Sequence, residues 1–229
     1  MAVVSYDWQG NNNRHMEVSM NPIIDMLVEE NPLFHTQRDG KSCSWAGNTN
    51  MLKDVEKLLQ PGMNTIETGA GYSTVIFLAK GCNHTTLTFD SREIERIKDF
   101  CRDKSISCES YTYYVGDSTE TVSSVSGPFD FVFIDGAHRF PYPIIDWYNL
   151  NQMLKVNGIL VVDDTDIISC HILVKYLLTD PKFELLANVE NYAIFRKTEF
   201  TPPPGDWLFQ PFSNTKIFNN SDILKVLGV

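Results

Sequence analysis

From residue 64 onward the chain alternates short β-rich runs with helical stretches, and that alternation leaves few folds open to it. The runs NTIET (64–68), TTLTFD (85–90), SYTYYVGD (110–117), FDFVFID (129–135) and GILVVDD (158–164) are separated by segments that can hold a crossover helix. Strands joined that way lie parallel, with both faces of the sheet covered. Helices are expected at about 73–80, over SREIERIKDFCRDK with Ile94, Ile97 and Phe100 at helical spacing, at about 119–125, and in a stretch containing Trp147, Leu150 and Leu154. After a further helix, HILVKYLL, the runs FELLANV and YAIFRK stand too close together for a crossover. They predict a hairpin, so the last strand runs antiparallel. The expected fold is α/β: a doubly wound, mainly parallel seven-stranded sheet ending in an antiparallel hairpin.

With 229 residues, 43% of them hydrophobic, one sizeable core is the economical arrangement. Two helices, NPIIDMLVEE and TNMLKDVEKLLQ, joined by a polar segment around His35 to Asn48, make residues 1–60 a helical cover for the substrate side. Residues 61–200 hold the sheet. Residues 201–229 read as an arm that packs back through Trp207, Phe209 and Phe212 after Pro202-Pro203-Pro204-Gly205. A net charge of −10 argues against a nucleic-acid partner, which calls for clustered Lys and Arg, and favours a small-molecule substrate. No run reaches the roughly 18 apolar residues of a membrane span, and the start MAVVSYDWQGNNNRH lacks signal-peptide features, so a cytoplasmic protein is expected. Five cysteines form no CxxC pair and are expected to be reduced. Homo-oligomerisation is left open.

Chemistry gathers at the strand ends. After the first run, Glu67, Gly69, Ala70, Gly71 and Ser73 form a glycine-bearing turn that opens a helix, where backbone can approach a ligand closely and amides are free. A turn of this kind needs glycine for steric reasons alone. Thr74 stands where the dinucleotide fingerprint has its third glycine, which counts against a pyrophosphate ligand. The next two runs end in Asp90-Ser91 and in Gly116-Asp117-Ser118.

The glutamate-x-glycine-x-glycine turn, Asp90 placed 21 residues after Gly69, and the Gly-Asp-Ser at 116–118 resemble the cofactor motifs of class I S-adenosylmethionine-dependent methyltransferases, over roughly residues 64–197. The resemblance implies that the Gly69–Ser73 turn meets the methionine part of the cofactor, that Asp90 holds the ribose hydroxyls, and that Asp117 and Ser118 lie against the adenine. A carboxylate suits a diol because it accepts two hydrogen bonds.

A second group lies at the same sheet edge: Asp135 and His138 from FIDGAH, and Asp163 and Asp164 from VVDDTD. Three carboxylates on adjacent strand ends would repel one another without a cation, which points to a divalent metal on Asp135, Asp163 and Asp164, Mg²⁺ first, with Mn²⁺ or Ca²⁺ as substitutes. The aspartates could instead cap the following helix, and His138 could be an ordinary polar residue. The pattern resembles the metal-dependent O-methyltransferases. In the catechol and caffeoyl-coenzyme A type a lysine base follows the first aspartate and the later pair is Asp-Asn; His138 and Asp164 are nearer the macrolide-sugar type. That resemblance implies transfer of the sulfonium methyl to a hydroxyl of a sugar diol, catechol or natural product, with His138 as base and Asp135 beside both cofactor and metal. Metal-independent transfer to nitrogen or carboxylate, and a catalytically silent cofactor-binding module, are the alternatives. Arg139, Phe140, Tyr142, Trp147, Ser44 and Trp45 are weaker pocket candidates, and Asp166 is expected to be solvated.

Overall fold

The computed structural model describes residues 22–200, 210–213 and 225. Seven strands form one sheet, preceded by two helices and a short ribbon. In chain order the elements are α1 (Pro22–Glu30), the two-residue strands β1 (His35–Thr36) and β2 (Ser42–Cys43), α2 (Thr49–Leu58), β3 (Asn64–Thr68), α3 (Tyr72–Ala79), β4 (Asn83–Thr88) and α4 (Ser91–Asp103). There follow β5 (Tyr111–Val115), α5 (Ser118–Thr121), β6 (Phe129–Ile134), α6 (Tyr142–Met153), β7 (Leu154–Val162), α7 (Ile168–Leu177), β8 (Phe183–Val189) and β9 (Tyr192–Lys197). The sheet order is β5-β4-β3-β6-β7-β9-β8. Strands β3 to β7 pair in parallel, and β9 runs antiparallel to both β7 and β8, as the closely spaced final runs require.

Successive side chains on a strand point to opposite faces, and β6 shows how that builds two cores. Phe131 and Phe133 join the layer containing Ile24 of α1, Leu52 and Val55 of α2, Phe77 of α3 and Ile97 of α4. Val132 and Ile134 join the opposite layer with Leu150 of α6 and Leu173 and Leu177 of α7. The N-terminal helices thus share the core of the sheet, and no core boundary falls near residue 60. Helix α4 has the clearest sequence origin: Asp90 caps its first turn by accepting from the Arg92 amide, and Ile94, Ile97 and Cys101 recur on its buried side.

Two local expectations are corrected. Leu154 belongs to β7, opposite Phe129 of β6, and so does not extend the preceding helix. The polar segment after α1 contains the β1–β2 ribbon. At the other end, Phe212 meets Tyr176 edge-on at 5.7 Å, whereas Trp207 and Phe209 lie outside the described residues. Among the described residues no helix is long and apolar enough to cross a membrane.

Candidate active site

The carboxyl ends of the parallel strands open into a cavity of about 860 Å³. That is where an open α/β sheet binds ligands, because the turns leaving the strands splay apart there. Of the sequence candidates, Gly69, Ala70, Gly71, Ser73, Asp90, Gly116, Ser118, Asp135, His138 and Asp164 line it, as does Trp45. Glu67, Ser91, Asp117 and Asp163 are not on its wall.

Glu67 is completely buried beneath the turn. Its carboxylate accepts hydrogen bonds from Ser73 Oγ (2.6 Å), Thr74 Oγ1 and Thr86 Oγ1 (3.0 Å), and His84 Nε2 lies 3.0 Å away. The glutamate thus ties the start of α3 to β3 and β4, shaping the glycine turn from behind. Gly69 has φ +86°, and a Cβ built on it would overlap the Asp135 carbonyl oxygen. The close approach of this turn to the end of β6 therefore demands glycine.

Asp90 faces the cavity while Arg92 grips both of its oxygens, through Nε at 2.8 and 3.0 Å and Nη2 at 2.7 Å. That hydrogen bonding holds its carboxyl below the usual range. Asp117 differs from its expected place. One oxygen caps α5 through Thr119 and the other accepts from Tyr142 Oη at 2.6 Å, so both are engaged away from the cavity. Tyr142, grouped in the sequence with a substrate pocket, is the tether that turns Asp117 aside, and Arg139 donates to the same hydroxyl at 3.2 Å. Trp147 packs on Tyr176 at 4.9 Å beside the second core, Phe140 stands exposed off the cavity, and Asp166 is exposed.

Ser118 donates to Asp146, which is 3% exposed and whose Oδ2 has no hydrogen-bond partner among the described residues. Burial pushes the Asp146 carboxyl up to about 6, against 3.8 for the ordinary group. The folded state holds this proton more tightly than the unfolded one, so stability falls as pH rises through that interval, and the full penalty stands above pH 6. Asp146→Asn is expected to leave the thermal midpoint nearly unchanged at pH 4 and to raise stability at pH 8 by at most about 3 kcal/mol. Parallel midpoint-versus-pH curves for the two proteins would refute it.

The acidic group at β6 and β7 is arranged differently from the expected three-aspartate set. Asp135, His138 and Asp164 come together, each offering one ligand atom within 4.8 Å of the others. His138 sits between the carboxylates, Nε2 at 3.5 Å from Asp135 Oδ1 and Nδ1 at 3.3 Å from Asp164 Oδ2. Asp163 is 3% exposed and turns inward, with Oδ1 accepting from the Asp164 amide at 2.9 Å. Both residues lie past the end of β7, and Asp164, in the left-handed region at φ +51°, is the one that swings toward His138. Burial pushes the Asp163 carboxyl up to about 8, with Asp135 and Asp164 adding to it. Neither aspartate caps α7, whose N-cap is Ile167.

The second oxygen of Asp164 accepts from Asn191 Nδ2 at 3.2 Å, and Asn191 is held by Asn48 Nδ2 at 3.1 Å. The backbone carbonyl of His138 accepts from Ser169 Oγ. The Asp135 carboxylate beside Nε2 raises the His138 pKa, while burial raises that of Asp135 with His138 opposing it. Two carboxylates and an imidazole are a suitable donor set for a divalent cation, and His138 Nε2 is a buried nitrogen with no hydrogen-bond partner among the described residues, as a ligating or proton-accepting atom would be.

A mainly parallel sheet whose final strand is reversed, with a glycine turn and acidic strand ends around one cavity, is the Rossmann-like methyltransferase fold. Residues 66–165 match the family described as a methyltransferase domain. No curated protein sequence matches the chain. Among solved structures it is similar to cofactor-bound Rv0187 from MTB, with 18% identity and TM-score 0.61 over 80% of this chain and 93% of that one. It is also similar to the O-methyltransferase TomG from Streptomyces achromogenes in complex with SAM, with 14% identity and TM-score 0.56 over 67% and 82%. A rRNA methylase from Streptococcus thermophilus gives 13% identity and TM-score 0.52 over 66% and 96%. Neighbours with such different names share the fold alone, so the acceptor must be argued from this chain's own site.

Proposed function

We propose that the protein is an O-methyltransferase that moves the methyl group of S-adenosylmethionine to a hydroxyl of a small molecule, a sugar diol or catechol being the preferred class. The observation that carries this reading is the Asp135–His138–Asp164 cluster, which sits on the wall of the same cavity as the glycine turn and Asp90. The methionine part lies along Gly69–Ser73 and the ribose at Asp90, so the sulfonium methyl is presented toward the cluster. Asp164 beside Nδ1 orients the His138 ring, leaving Nε2 to take the proton of the attacking hydroxyl. A divalent cation held by Asp135 and Asp164 with His138 alongside, Mg²⁺ by its oxygen donors, would supply a Lewis acid that acidifies a bound hydroxyl. The chain's net charge of −10 supports a small-molecule acceptor over a nucleic acid.

One observation favours a second reading, transfer with no metal. His138 lies between Asp135 and Asp164, and as an imidazolium it balances the carboxylates that otherwise call for a cation. Chelation followed by assay with sugar diols and catechols separates the two. Metal-assisted transfer is expected to lose roughly tenfold or more in turnover and to regain it with Mg²⁺. Full turnover after exhaustive chelation would establish the metal-free route, and no methylation of any hydroxyl acceptor would overturn the O-methyltransferase reading.

A further inference from the structure

We propose that His35, which belongs to no recognisable motif, receives the α-ammonium group of the cofactor's methionine arm; the assignment rests on the cofactor reading above. His35 is 9% exposed, and its Nδ1 lies 2.8 Å from Glu93 Oε1. The other Glu93 oxygen accepts from Thr88 Oγ1 at 2.6 Å. One turn further along α4, Arg96 Nη1 donates to the carbonyls of Phe34 (2.8 Å) and His35 (3.0 Å) and to Thr36 Oγ1 (2.9 Å). Glu93 and Arg96 are three residues apart on one helix face, so a single helix pins both the ring and the backbone of residue 35.

That pinning gives the imidazole a defined chemistry. A carboxylate accepting the Nδ1 hydrogen fixes the tautomer and leaves the lone pair on Nε2. Among the described residues no hydrogen bond uses Nε2. It is directed at the cofactor turn: a Cβ built on Gly71 would lie 3.3 Å from it, and both residues line the cavity. Trp45 covers the ring with centroids 5.1 Å apart.

A lone pair backed by a buried carboxylate attracts a cationic donor. The amides that open α3 from Tyr72 favour an anion. An amino-acid zwitterion laid along the turn satisfies both, its carboxylate on the α3 amides and its ammonium on His35. A side chain at position 71 would crowd the ring, its Cβ lying 3.3 Å from Nε2.

The test is calorimetric titration of the full chain with S-adenosylhomocysteine, its deaminated analogue S-adenosyl-4-thiobutyrate, and the decarboxylated analogue. The wild type is expected to bind S-adenosylhomocysteine roughly 10- to 100-fold more tightly than the deaminated compound. In His35→Phe that preference should vanish while affinity for the deaminated compound stays at the wild-type value; His35→Gln, which keeps an acceptor, should recover part of it. Equal wild-type affinity for the two ligands overturns the proposal without needing any variant. So does a His35→Phe loss shared equally by both, or one confined to ligands that carry the carboxylate. Failure of the wild type to bind S-adenosylhomocysteine would instead bring down the cofactor reading beneath it.

Discussion

Replacing His138 with alanine is expected to slow methyl transfer by about 10²- to 10⁴-fold while leaving the affinity for S-adenosylhomocysteine nearly intact. The separation follows from position: the glycine turn follows β3 and Asp90 caps α4, whereas His138 follows β6 with its imidazole beside Asp135 and Asp164. Its imidazole is the group in the cluster able to exchange a proton near neutral pH. Alanine also leaves two carboxylates facing each other, so His138→Gln serves as a companion that keeps a polar side chain between them. Steady-state turnover and calorimetric titration on both variants decide the matter. Unchanged turnover removes His138 from the mechanism, and a parallel collapse of cofactor affinity makes it part of the binding site.

Gly69→Ala is expected to cost about 3 kcal/mol or more of stability and to reduce cofactor affinity by roughly 100-fold. Two penalties coincide at this residue, a left-handed φ of +86° and a Cβ that would overlap the Asp135 carbonyl oxygen. Relief requires the turn to withdraw from the end of β6, which moves the glycine turn away from Asp135 across the cavity. Gly62→Ala is the control, because Gly62 has φ +79° but open space around its Cβ position, and should cost only about 1 kcal/mol. Thermal denaturation of the pair isolates the steric part. Equal costs for the two would mean that the contact with Asp135 does not matter.

The sheet was legible because its signals are local. FELLANV and YAIFRK coincide with β8 and β9, and with so short a connection they had to pair antiparallel. The acidic strand ends were legible for the same reason. Their side-chain directions were harder to read, because Asp163 and Asp164 fall past the end of β7, where strand alternation no longer applies and Asp164 takes a left-handed φ of +51°. Asp117 and Tyr142 show a different obstacle. Each looks like a ligand-facing residue in its own segment, and only the fold, which brings them within 2.6 Å across 25 positions, shows that they satisfy each other. His35 carried no readable signal at all: its partners Glu93 and Arg96 lie 58 and 61 residues away, and nothing in the polar segment marks it out.

The reversed β9 has an architectural result of its own. Parallel strands send every return connection across a helix to the far rim, so their working rim receives only turns that lead out of strands. Because β9 starts beside Val162, the two-residue bend at Glu190–Asn191 is delivered to that working rim, where it bonds Thr165, Asn48 and Asp164. The bend is thus a keystone between the N-terminal cover and the cavity wall at Asp164, and lengthening it or changing its charge would reshape that wall while leaving the parallel strands beneath it undisturbed.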